Sequence, residues 1–135
     1  MESFEILSIL ESCITLQHKK ENIMIIAIPV AEEKLCSHFG HCDQFALVEV
    51  DNENKQILKT VTLDAPPHQP GLLPVWLQDR GVNVVIAGGM GGRAQELFKQ
   101  KNIQVLVGAP VDTPESLVLQ FLNNTLIQGI NHCDH

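Results

Sequence analysis

The chain has 135 residues, 44% hydrophobic and 19% charged, so it can bury the core of one ordinary domain and is a poor candidate for wholesale disorder. Nine Lys and Arg against sixteen Asp and Glu leave a net charge of -7, and five Phe with one Trp and no Tyr offer few stacking surfaces, which argues against a nucleic-acid partner. No apolar run approaches the roughly 20 residues of a membrane-spanning helix.

Residues 1–22 read as an N-terminal amphipathic helical extension. Ile6, Leu7, Leu10, Cys13, Ile14 and Gln17 recur at spacings of three and four, with Glu2, Glu5, Glu11 and Lys20 elsewhere. Acidic residues stand where a secretory signal would want positive charge, so a cytoplasmic, reducing location is the expectation. Met24 offers an alternative start. Residues 23–30 are a continuous apolar run closed by Pro29, the mark of a strand buried on both faces. Residues 31–43 are polar and read as a loop.

Two β-rich segments follow, 45–50 and 56–63, joined by the turn Asp51-Asn52-Glu53-Asn54-Lys55. In the second, Ile57, Val61 and Leu63 are placed on one face by period two. Residues 65–71 are a proline-stiffened connection holding His68. A helix is predicted over 72–80, with Pro74 in its first turn and Gly81 beyond its end. An apolar strand over 82–87 runs into Gly88-Gly89-Met90-Gly91-Gly92, a helix over 93–100 and a strand over 104–107. Thr113 as cap and Pro114 in the first position define a last helix to Leu122. Residues 123–135 form a Cys/His-containing C-terminal tail.

This order implies a single α/β domain over 23–122, with a five-stranded mixed sheet flanked by helices. If only the second strand runs antiparallel, the other four end at one edge. The loop after strand one, His68 and the glycines then share the edge where open α/β sheets bind ligands.

Three constellations could carry chemistry. Cys36-Ser37-His38-Phe39-Gly40-His41-Cys42 packs two thiols and two imidazoles into seven residues, a donor set for zinc, copper or iron–sulfur species. A surface loop or a structural zinc clip would use the same residues. His132-Cys133-Asp134-His135 places Cys133 and His135 on one side of an extended segment; a frayed terminus is the plain alternative. Ten helical residues carry the chain about 15 Å from the edge, and the tail is long enough to return. A composite site would then join Cys36, His38, His41 and Cys42 to Cys133 and His135, with His68 its weakest member. Gly88, Gly89, Gly91, Gly92 and Arg93 lie between strand and helix, where exposed amides and a cation accommodate anionic charge; close helix–sheet packing also explains the glycines. Strand one carries no carboxylate, and no catalytic triad is evident.

Ile26-Ala-Ile-Pro-Val30, then Ser37-His-Phe-Gly40 running into Phe45-Ala-Leu-Val48, then Val85-Ile-Ala-Gly-Gly-Met-Gly91, resemble the dinitrogenase iron–molybdenum cofactor biosynthesis family. The resemblance implies a fold with a ribonuclease-H-like motif, and non-enzymatic carriers of iron–sulfur or iron–molybdenum cluster precursors. It marks His38 as first ligand and maps the family's glycine turn onto residues 88–91. Cys36, His41, Cys42 and the 132–135 tail are additions to the nitrogenase-associated pattern. Such Cys/His-enriched forms resemble a subgroup linked to P-loop ATPases that assemble iron–sulfur clusters.

The expectation is therefore a carrier of an iron–sulfur or iron–molybdenum precursor or a metal ion, with no catalytic residues. Its partner would be a cluster-assembly or recipient metalloprotein, with homo-oligomerisation left open. A structural zinc or regulatory interaction module is the alternative.

Overall fold

The computed structural model describes residues 23–36, 39, 42–67, 69 and 71–129. The expected helix over 1–22, His38, His41, His68, Cys133 and His135 lie outside these residues. Among the described residues six strands are present: β1 (Ile23–Ala31), β2 (Lys34–Leu35), β3 (Gln44–Asp51), β4 (Gln56–Asp64), β5 (Val84–Ile86) and β6 (Gln104–Leu106). Three helices accompany them among the described residues: α1 (Leu72–Asp79), α2 (Gly92–Gln100) and α3 (Pro114–Leu122).

The strand order is β4-β3-β1-β5-β6, with β2 paired to the end of β1. β3 runs antiparallel to β1 and to β4, whereas β1, β5 and β6 are mutually parallel. Hence β1, β4, β5 and β6 all end at one edge, as expected from the order of elements.

Burial on both faces explains the apolar run of β1. Ile26, Ile28 and Val30 point to one layer with Leu117, Val118 and Leu122 of α3. Ala27 points to the other with Leu77 of α1, Phe98 of α2 and Val85 of β5. Fully burying each large aliphatic side chain stabilises the fold by about 1.5–3 kcal/mol, so these two layers dominate its energetics. The strand continues past Pro29 to Ala31, and Pro29 offers its carbonyl to the Cys36 amide at 2.9 Å.

The Thr113 cap forms as expected: its hydroxyl accepts the Ser116 amide at 3.3 Å, and Pro114 opens α3. The turn after β3 is held by Asp51, whose carboxylate accepts the Glu53 amide (3.0 Å), the Asn54 amide (3.2 Å) and the Asn54 side chain (2.8 Å).

Two expectations need correction. Residues 31–43 are not wholly loop, because Val30↔Leu35 and Ala31↔Lys34 pair as a tight hairpin. Its turn is made by Glu32 and Glu33 at φ 53 and 69, a left-handed pair usually supplied by Asn-Gly, so no turn signal announced it. Nor do Ile57, Val61 and Leu63 share a face. Glu49 pairs with Lys59 but Val50 with Ile57, so Leu58 is an inserted residue that reverses the alternation. Ile57 packs in the α3 layer, while Val61 and Leu63 sit opposite Leu47 and Phe45 of the other layer.

Among the described residues, no helix is long and apolar enough to cross a membrane.

Candidate functional site

Four connections emerge at the edge where β1, β4, β5 and β6 end, and backbone hydrogen bonds knit them together. The Phe39 amide, in the middle of the Cys-containing loop, donates to the Gly89 carbonyl at 3.0 Å. The Ala65 amide, just after β4, donates to the Asp43 carbonyl at 2.8 Å. The Gly108 amide, after β6, donates to the Gly88 carbonyl at 2.7 Å. The Leu35 amide donates to the Asp112 carbonyl at 3.0 Å, tying the β1–β2 hairpin to the start of α3.

Within this edge the segment from Cys36 to Cys42 is anchored at three points. Its entry is fixed by the Cys36–Pro29 backbone bond. Its middle is fixed by Phe39, whose ring meets Phe45 edge-on at 5.7 Å and Phe98 at 5.6 Å between centroids. Its ends are joined by a disulfide between Cys36 and Cys42, with Cα atoms 5.9 Å apart. Cys42 is only 3% exposed, whereas Cys36 is half-buried. Two sulfurs held this close form a bidentate donor pair once the disulfide is reduced to thiolates, the form in which Cys binds metal.

The glycine segment serves its neighbours chiefly through carbonyls. Gly88 and Gly89 are buried and accept the bonds just described, and buried Met90 accepts the Gln95 side-chain amide at 2.9 Å. Gly91 caps α2 with extended backbone, and Gly92 and Arg93 are exposed in its first turn. Exposed Arg93 supplies a cation at the edge.

The tail returns to this same edge. After α3 ends, Leu126 packs into the α3 layer, and the Gly129 amide donates to the Gly108 carbonyl at 2.6 Å. Gly108 sits at φ +79, and a Cβ there would collide with the Gly129 carbonyl. The reading of the sequence missed this contact. Its only trace is the glycine inside Val107-Gly108-Ala109-Pro110, a breaker immediately after a strand.

Asp112 organises the start of α3. Its carboxylate accepts the Ser116 hydroxyl at 2.7 Å and the Thr113 amide at 2.7 Å. The Ser116 bond above all, then the Thr113 amide, hold its pKa below the ordinary carboxylate value, against a smaller opposing effect of burial.

A single α/β domain with a mixed sheet and loops gathered at one edge is therefore the class that this fold and site define. The chain belongs to the dinitrogenase iron–molybdenum cofactor family, whose model matches residues 22–124. The Methanocaldococcus jannaschii protein MJ0580 is 32% identical over 111 residues, covering 79% of this chain and 92% of that protein. The crystal structure of PH0822 matches with a TM-score of 0.71 at 25% identity, covering 78% of this chain and 94% of that one. The apo form of the orange protein from Desulfovibrio gigas shares the fold with a TM-score of 0.56 at 20% identity, covering 80% and 94%.

Proposed function

We propose that this chain is a non-enzymatic carrier that holds an iron–sulfur or iron–molybdenum cluster precursor, or a metal ion, during metallocluster assembly. The observation that carries the reading is the pair Cys36 and Cys42, gathered on a loop pinned by Pro29, Phe39 and Gly89 at the shared sheet edge. Two-electron reduction by a dithiol converts that disulfide into two thiols, whose thiolates are soft donors for iron or zinc. His38 and His41, between them in sequence, and Cys133 and His135 near the C-terminus are the further donors that the reading takes from the sequence. Arg93 and the first turn of α2 offset the negative charge of a thiolate-bound cluster. Family membership supports the iron–molybdenum theme.

A carrier must also release its cargo, so a recipient metalloprotein or a P-loop ATPase of cluster assembly is the partner that this role requires. The cytoplasm, where thiols stay reduced, is the compartment that suits it.

Oxygen-free protein reduced and reconstituted with ferrous iron and sulfide should show sulfur-to-iron charge-transfer absorption. Cys36→Ala with Cys42→Ala should abolish it. A colourless reconstituted protein, or unchanged iron in the double variant, refutes the proposal. The Cys36–Cys42 clip also favours a second reading, a structural zinc module. Chelation would then lower thermal stability sharply, whereas unloading a carrier leaves the fold in place.

A further inference from the structure

We infer that the Cys36–Cys42 bond is a redox switch on the carrier site, opened by a dithiol that attacks the sulfur of Cys36 and expels Cys42. The inference rests on the carrier reading and adds to it how the site is controlled.

The two cysteines are unequal. Cys42 is 3% exposed, whereas Cys36 is half-buried. Thiol–disulfide exchange is an in-line displacement, in which the attacking thiolate approaches one sulfur from the side away from the other, so access selects the sulfur attacked. A reductant arriving from solvent therefore meets Cys36, and buried Cys42 is the leaving group.

The first thiolate of the dithiol bonds to Cys36 Sγ, the Cys36–Cys42 bond breaks, and Cys42 leaves as a thiolate that takes up a proton. The second thiol of the reductant gives up its proton and attacks the first reductant sulfur. That step closes the reductant's own disulfide and releases Cys36 as a thiolate. Two electrons and two protons pass to the chain, and the dithiol is oxidised by the same amount.

Backbone bonds that do not depend on the sulfurs hold both ends of the loop. On the entry side, the Cys36 amide donates to the Pro29 carbonyl at 2.9 Å and the Leu35 amide to the Asp112 carbonyl at 3.0 Å. On the exit side, the Asp43 carbonyl accepts the Ala65 amide at 2.8 Å, and Gln44 is paired with Val30 and Asp64 across the sheet. Opening the disulfide thus leaves the two cysteines as neighbours. The thiolates stay together as donors, and the bond re-forms without a search through the chain, because a short loop with fixed ends costs little to close.

Disulfide sulfurs carry no thiolate charge, so the bond that closes the loop also removes both soft donors. Cargo and oxidant compete for the same two sulfurs. By linkage, cargo that binds only the reduced chain must hold the pair reduced, to the extent that oxidation expels cargo.

The full chain, oxidised and without metal, is exposed briefly to glutathione, quenched with acid and capped with N-ethylmaleimide. Tandem mass spectrometry then locates both labels. Glutathione should lie on Cys36 and maleimide on Cys42 in about nine of ten chains modified at this pair. Glutathione shared evenly, or mainly on Cys42, overturns the assigned direction of attack. Cobalt added under nitrogen, after the reductant is removed, should bind the reduced chain at least about 100-fold more tightly than the oxidised one. In glutathione buffers, zinc at about a hundred times its Kd should shift the pair about 100-fold toward the thiols. Cobalt held equally by both states, or a thiol–disulfide balance that zinc does not move, overturns the switch and leaves the carrier reading standing. A reduced chain that takes up neither metal overturns both.

Discussion

Replacing Phe39 by alanine tests how firmly the candidate site is bolted to the core. The ring makes two edge-on contacts, with Phe45 at 5.7 Å and Phe98 at 5.6 Å, and both partners are fully buried. Aromatic pairs of this geometry contribute about 0.5–1.5 kcal/mol each beyond the area they bury. Phe39 is itself half-buried, which adds about 1 kcal/mol of apolar transfer. Phe39→Ala should therefore destabilise the domain by about 2–4 kcal/mol. In a domain of this size that lowers the melting temperature by roughly 8–15 °C. Phe39→Leu keeps most of the area and forfeits the ring contacts, so about half the loss should remain. The assay is urea denaturation of oxidised protein, in which the Cys36–Cys42 bond still closes the loop covalently. A loss below about 0.5 kcal/mol in Phe39→Ala, within the range of ordinary surface changes, would show that the loop is not anchored through this ring.

Other expectations follow from the same edge. Reducing the Cys36–Cys42 bond, whose sequence separation is 6, should cost about 2 kcal/mol of stability by releasing a short loop in the unfolded chain. Calorimetry with and without a phosphine measures it. The folded-state pKa of Asp112 is lowered, so its contribution is complete above the ordinary carboxylate range and disappears as pH falls through the depressed value. The melting temperature of the wild type should accordingly exceed that of Asp112→Asn at pH 6, and the gap should close as the solution is acidified below the ordinary carboxylate range. Substituting Asn-Gly for Glu32-Glu33, whose φ values are 53 and 69, should raise stability by about 1–2 kcal/mol, seen as a higher urea midpoint with unchanged slope.

Much of this architecture could be read directly from residue pattern. The apolar runs of β1 and β5 reflect burial on both faces, a signal that survives without any tertiary knowledge. Thr113-Pro114 announces α3 because capping is local chemistry. The shared edge at which four strands end followed from chain order and the handedness of crossovers, and the strand directions bear it out. What escaped has a common cause. The β1–β2 hairpin turns on two glutamates held left-handed by pairing on either side, the insertion at Leu58 has no compositional mark, and Gly108 looks like any strand-ending glycine. Each is decided by contacts with distant parts of the chain, which local propensity does not encode. For the site, sequence singled out Cys36 and Cys42 as thiol donors beside His38 and His41, and the fold brings the two cysteines together as a disulfide. It did not point to Phe39 as the anchor or Gly129 as the route home.

The irregularity at Leu58 also bears on how the molecule behaves at high concentration. Among the described residues β4 pairs with β3 alone, so nine residues of backbone line the margin of the sheet. Leu58 and Val61 along it are 49% and 36% exposed, and a flat ribbon with such side chains invites stacking into fibrils. The extra residue twists that ribbon and breaks its register near the start of β4, and Lys59 places a charge beside the break. Deleting Leu58 would restore an even alternation, and with it a smooth template on which copies could accrete end to end.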